Sequence, residues 1–228
     1  MRCIALLLII VGLCTTPGAV AKNRTNERLD DAAELFKEIM STPDKSIPQD
    51  LLNKSHCVVL VPGLKKGGFL LAGKWGRGFV VCRHSSRQGW GAPGAIRIEG
   101  GSIGLQIGVS STDLVLLVMN ERGIKRLLAS KFTLGGDATV AGGPVGRNAT
   151  AQTDAMLTAE ILSWSRSHGV FAGVSLDGST LRNDIDENQH MYGQRWENKQ
   201  ILQSGLKPPA GAAKLIAELN KYSPREAN

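Results

Sequence analysis

The sequence predicts an α+β protein: a glycine-rich, mostly antiparallel sheet, strongly curved or barrel-like, with flanking N- and C-terminal helices. Three observations carry this. Twenty-three of the 27 glycines lie between Gly63 and Gly193. Short β-branched runs separated by glycine turns fill that span, the pattern of successive strands. Helical periodicity is confined to the two flanks. A sheet with glycine at regular intervals can coil tightly, and closure would remove exposed edges. At 228 residues, with 42% hydrophobic and 21% charged residues, the chain is long and apolar enough to bury one core and is not of disordered composition.

Met1–Ala21 reads as a secretory leader: Arg2, an apolar run over Ile4–Leu13, and the small-residue signal Ala19-Val20-Ala21. The run is too short to span a bilayer, and Leu13 stands where a lipoprotein signal before Cys14 would need a small residue. An exported chain is therefore expected, periplasmic or secreted, either soluble or peripheral to a membrane. Asn-x-Ser/Thr triplets at Asn23, Asn53 and Asn148 would matter only in a eukaryotic secretory pathway.

Residues 22–46 hold an amphipathic helix and a linker. The helix is predicted over Asn26–Met40, with Asn26 as N-cap and Leu29, Ala33, Phe36 and Met40 on one stripe. Five acids against two bases make it a poor match to an anionic membrane, so its stripe is expected to pack on the domain.

Cys57–Val61 is a short buried strand closed by Pro62-Gly63. Lys65-Lys66-Gly67-Gly68 reads as a basic turn, and Phe69–Lys74 and Arg77–Arg83 as a hairpin around Trp75-Gly76. Cys57 and Cys82 remain once the leader is removed. They either pair, if their strands are neighbours in an oxidising compartment, or sit as two small buried apolar residues. Three strands follow at Ala95–Glu99, Ser102–Val109 and Asp113–Met119. In the second, Ile103, Leu105, Ile107 and Val109 alternate with Gly104, Gln106 and Gly108, as one buried face requires. Glu121–Ser130 is a short helix with Ile124, Leu127 and Leu128 inward and Lys125, Arg126 and Lys131 at its second half, where cations suit the helix dipole.

Gly135-Gly136 and Gly142-Gly143-Pro144 bracket Ala138–Ala141. Ile161–Ser165 and Val170–Leu176 read as strands joined through Ser167-His168-Gly169. The acidic cluster Asp184, Asp186, Glu187 and Asn188 has oxygen ligands to offer a cation but not the EF-hand spacing. It reads as a solvated loop. Residues 194–228 are a helical extension, with helices predicted over Gln194–Ser204 and Ala210–Tyr222 about a Pro208-Pro209 linker.

The elements VPGLKKGGF (Val61–Phe69), WGAP (Trp90–Pro93), GGSIGLQIG (Gly100–Gly108), LGGDATVAGGPVG, ILSWSRSHGVFAGVSLDG and MYG (Met191–Gly193) occur in one order. Together they resemble the SYLF domain known from yeast actin-patch proteins. The resemblance covers 47–193. It implies a domain that binds lipid head groups, in some eukaryotic members also actin, and it implies no catalytic site. The leader departs from the cytosolic eukaryotic members and suggests an exported, bacterial-type one.

Chemistry-bearing motifs do not displace that expectation. Gly100-Gly101-Ser102-Ile103-Gly104 matches G-x-S-x-G, but strand-like alternation follows Ser102 where a nucleophile elbow needs a helix. Gly68 to Lys74 has P-loop spacing, but Trp75 replaces the magnesium-binding hydroxyl. His56, His84, His168 and His190 are scattered without zinc-ligand spacing. No cofactor or metal is expected, and neither a nucleic-acid motif nor interleaved aromatics appear. The formal net charge of +7, about +6 without Arg2, draws the chain to anionic surfaces. Lys65, Lys66, Lys74, Arg77, Lys125, Arg126 and Lys131 are the candidate contacts to phosphate. The expected partner is an anionic, phosphoinositide-like phospholipid or membrane surface, with an envelope protein partner, in a scaffold role, as the alternative.

Overall fold

A computed structural model of the chain describes residues 17–42, 46–69, 71–84, 89–103, 108–144, 158–167, 170–171 and 176–224. Its centre is a curled half-barrel sheet of α+β architecture. The strands are β1 (Cys57–Phe69), β2 (Leu71–Cys82), β3 (Gly94–Ile103), β4 (Gly108–Val118), β5 (Lys131–Thr133), β6 (Val140–Gly142), β7 (Ile161–Ser167), β8 (Val170–Phe171) and β9 (Thr180–Asn183). Their order is β5-β9-β3-β2-β1-β4-β7-β6, with β8 paired to β7. Among these pairs, β6 with β7 is parallel and the others are antiparallel.

Alternation along the central strands fills both faces of the sheet. On one face Val58, Leu60, Phe79, Val81, Val115, Leu117 and Trp164 meet the helices α1 (Pro17–Met40) and α6 (Ala213–Tyr222). Those helices contribute Leu29, Ala33, Phe36, Ile39, Leu215 and Leu219. The stripe predicted on the N-terminal helix is thus buried against the sheet. The acids beside it pair with neighbouring cations: Glu38 with Arg166, and Glu34 with Lys214 at 2.9 Å. On the other, concave face Val59, Val61, Leu64, Val80, Ile96, Ile98, Leu114 and Leu116 pack with Leu127, Phe132, Leu134 and Leu181. The short helices are α2 (Gln49–Lys54), α3 (Glu121–Leu127), α4 (Ile185–Tyr192) and α5 (Asn198–Gln203).

Several expected boundaries are corrected. β1 does not end at Pro62-Gly63 but runs through it to Phe69, with register shifts between Leu60 and Lys65 against β2 and between Val61 and Leu64 against β4. Gly63 takes φ +58°, a backbone setting that suits glycine at a bulge. Lys65-Lys66-Gly67-Gly68 is therefore strand, not turn. β2 likewise passes straight through Trp75-Gly76, and the β1–β2 hairpin closes between Phe69 and Leu71. A Cβ on Gly76 would lie 2.8 Å from methyls of Val61 and Leu64, so this glycine marks close packing across strands.

The expected strand Ser102–Val109 is divided: Ser102 and Ile103 end β3, Gly108 and Val109 begin β4, and Val109 is 81% exposed. α1 begins by Pro17, so Asn26 lies inside the helix and is not its N-cap. The cluster Asp184–Asn188 is not a solvated loop. Asp184 caps α4 by accepting a bond from the Glu187 N–H at 3.4 Å, and Asp184, Glu187 and Asn188 are buried. The greater part of the expected leader (1–16), the turn through His168 and Gly169, the strand residues 172–175, and Leu105 and Ile107 lie outside the described residues.

Candidate functional site

Three of the seven candidate cations meet at one end of the sheet, beside the β1–β2 hairpin. Lys66 of β1 stands directly opposite Lys74 of β2. The row continues to Ser110 on β4 and Gly100 on β3. Because Leu64, Ile98 and Leu114 point into the concave core, Lys66 and Gly100, two residues on, and Ser110, four residues back, share that face. Like charges placed opposite one another destabilise a sheet. Lys74 is 8% exposed. Burial, and then Lys66 beside it, hold its ammonium below the ordinary 10.5, while Asp177 acts in the opposite sense.

The row closes with a polar group left over. A Cβ on Gly100 would lie 2.9 Å from the Ser179 Oγ, so the bare glycine lets this hydroxyl in. That oxygen is buried and has no hydrogen-bond partner among the described residues. Two ammoniums and hydroxyls at one glycine-lined end can receive an anion, with the lysines as point charges.

The opposite face of the same end is different in character. Lys65 pairs with Trp75 on β2 and Ser111 on β4, and its Nζ donates to the Ser111 Oγ at 3.0 Å. The next row along is Gly73, Gly67 and Val109. The Trp75 ring lies beside Gly73, where a Cβ would sit 3.6 Å from it. Trp75, at 51% exposure, and Val109 are the large exposed apolar residues among those described. Sequence patterning did not single out Trp75, whose neighbour Gly76 looked like a turn.

The other four cations are elsewhere. Lys125 and Arg126 are exposed in the last turn of α3, beyond the Val118 end of β4. That is roughly 25 Å along the strand direction from Lys65, at about 3.3 Å per residue. Arg77 and Lys131 are the ends of a second row that crosses four strands in register: Arg77, Arg97, Arg182 and Lys131. The charge of its three arginines is answered within the fold. Arg77 Nε is 3.4 Å from Asp184 and its Nη1 3.7 Å from Glu187; Arg97 Nε is 4.0 Å from Asp184; Arg182 Nη2 is 3.2 Å from Glu99. Arg28 of α1 also reaches Glu187. Arg97 and Arg182 were missed because a cross-strand row is invisible until register is known.

At the far end of the central strands Cys57 and Cys82 are opposite each other and bonded. Ser102 lies in β3. His190 is in α4, 4.0 Å from Glu187. Among the described residues no group of three or more His, Cys, Asp or Glu is arranged to hold a metal ion, and no helix is long and apolar enough to cross a membrane.

The model of the family described as Ysc84, "Las17-binding protein actin regulator", matches residues 99–222. The chain is similar to the "SH3 domain-containing YSC84-like protein 1" of Rattus norvegicus, 35% identical over 191 residues that cover 82% of this chain and 56% of the relative. The protein of that name from Homo sapiens is 35% identical over 196 residues, covering 85% and 57%. The "LAS seventeen-binding protein 3" of Saccharomyces cerevisiae is 33% identical over 192 residues, covering 81% and 41%. The chain thus spans about half the length of these relatives.

Proposed function

This chain belongs to the Ysc84 (SYLF) family, and on that premise we propose that it is a non-catalytic docking module for anionic phospholipid. Contact is made by the end of the sheet that carries Lys65, Lys66, Lys74, Trp75 and Val109. One observation carries the reading. Both large exposed apolar side chains among the described residues lie on the sheet face of Lys65, at the strand end whose other face carries Lys66 and Lys74. Tryptophan and lysine side by side suit the water–bilayer boundary, the ring among the carbonyls and the ammonium among the phosphates. Lys66 and Lys74 gain further: an anionic head group between them offsets their mutual repulsion.

The experiment is flotation of the full chain with vesicles of phosphatidylcholine alone or doped with phosphoinositide, phosphatidylglycerol or cardiolipin. Binding requires the acidic lipid, weakens as salt rises, and falls at least tenfold in Lys65→Glu/Lys66→Glu. Absence of binding to every acidic vesicle at low salt overturns the reading. The expected leader belongs to the same proposal, with export tested by sequencing the mature N-terminus. The relatives' names, which state Las17 binding and actin regulation, favour a second reading as a protein-docking module. Salt-insensitive binding to a purified partner without vesicle binding would select it.

A further inference from the structure

We propose that the Cys57–Cys82 disulfide is a reversible exchange site for a low-molecular-weight thiol, with Cys82 as the sulfur attacked. The bond is placed where chemistry can reach it. It lines a cleft of about 400 Å³ at the end of the two central strands, walled by His56, His84, Glu121, Ile124, Leu128 and Leu202. Its two cysteines are unequal: Cys57 is 1% exposed and packed in the concave core, whereas Cys82 is only partly buried at its edge. A bond whose role is purely structural has no need of an open approach. These strands also hold one another without it, since β1 and β2 are paired from Cys57 with Cys82 down to Phe69 with Leu71.

The chemistry is thiol–disulfide exchange. A small thiolate attacks the Cys82 sulfur, the Cys57–Cys82 bond breaks, and Cys57 leaves with the electron pair as a thiolate that takes a proton from water. A second thiolate attacks the external sulfur of the mixed disulfide, releasing Cys82 as a thiolate and a small disulfide. Two thiols are oxidised and the protein disulfide is reduced. The cleft admits a tripeptide-sized thiol, and its apolar wall of Ile124, Leu128 and Leu202 seats the chain of that thiol, with His56 and His84 lining the same cleft.

The test incubates the full chain with reduced glutathione under native conditions, quenches with acid and maps the adduct by mass spectrometry. The expected result is a reduction rate linear in glutathione, flat in urea below the unfolding transition, and a mixed disulfide on Cys82. Ile124→Trp, which narrows the cleft, slows the reaction at least tenfold. As a control that needs no intact disulfide, Cys57→Ser takes up glutathione from its oxidised form at least tenfold faster than Cys82→Ser. A reduction rate that climbs with urea in step with unfolding, an adduct on Cys57, or equal uptake by the two single variants overturns the proposal.

Discussion

Phe79 and Trp75 are aromatic residues of the same strand, four positions apart and on the same face of the sheet. One is fully buried and the other half exposed. The same contrast divides β1 and β4. Cys57–Val61 and Leu114–Val118 are buried on both faces, beneath α1 and α6 on one side and above the concave core on the other. Beyond the bulge at Pro62-Gly63 the strands carry glycine, lysine, serine and exposed Val109. A strand held from both faces is a structural element. The same strand continued past its cover is a surface. Glycines 67, 73, 100 and 101 offer no side chain at that end, while apolar side chains pack both faces of the buried end.

The comparison is broken most directly at the buried aromatic. Phe79→Ala is expected to lower stability by about 4 kcal/mol, the usual cost of a large cavity in a packed core, measured by urea unfolding. Loss of the disulfide comes next. Cys57→Ala/Cys82→Ala, which frees a loop spanning a sequence separation of 25, is expected to cost about 3.5 kcal/mol by loop entropy, seen as a lower midpoint with the same native circular dichroism. Trp75→Ala is expected to change stability by less than about 0.5 kcal/mol while reducing flotation with acidic vesicles several-fold. If Trp75→Ala unfolds the chain as readily as Phe79→Ala, the division between the two ends fails.

Lys74 sharpens the comparison through pH. Its folded ammonium is held below the ordinary value of 10.5. The unfolded chain therefore binds more protons than the folded one in the window below 10.5, and this group's contribution to stability rises with pH across that window. Burial raises the Tyr192 phenol well above its usual 10.0, so the folded chain keeps that proton longer and loses stability as pH rises past 10. The two act in opposite senses, Lys74 below 10.5 and Tyr192 above 10.0. The informative measurement is the difference between the parent and Lys74→Met: the variant lacks the upward contribution, and its stability is equal or higher at neutral pH. If acidic vesicles bind the parent as proposed, they are expected to return the Lys74 ammonium toward its ordinary range.

Much of the fold was legible because it is written in local pattern. The helical stripe of Leu29, Ala33 and Phe36, the unbroken apolar run from Leu114 to Val118, and the helix from Glu121 with its inward Leu127 each declare what they bury. Where reading failed, glycine was ambiguous. Gly63 bends a strand without ending it, and Gly76 makes room for Val61 and Leu64, yet both resemble turns in sequence. Asp184 and Glu187 looked solvated because acids usually are. Their burial depends on Arg77 and Arg97, more than 80 residues earlier, and on Arg28 from the first helix.

What the sequence determined by itself was the family, the α+β class, the buried stripes and the list of cations. These follow from residue order alone, since periodicity and motif order are local or linear properties. Which cations stand together, which are already answered by buried carboxylates, and which sulfurs meet were decided only by tertiary structure. Register between strands distant in the chain sets those distances, and electrostatic and covalent partnership falls away within a few ångströms of separation.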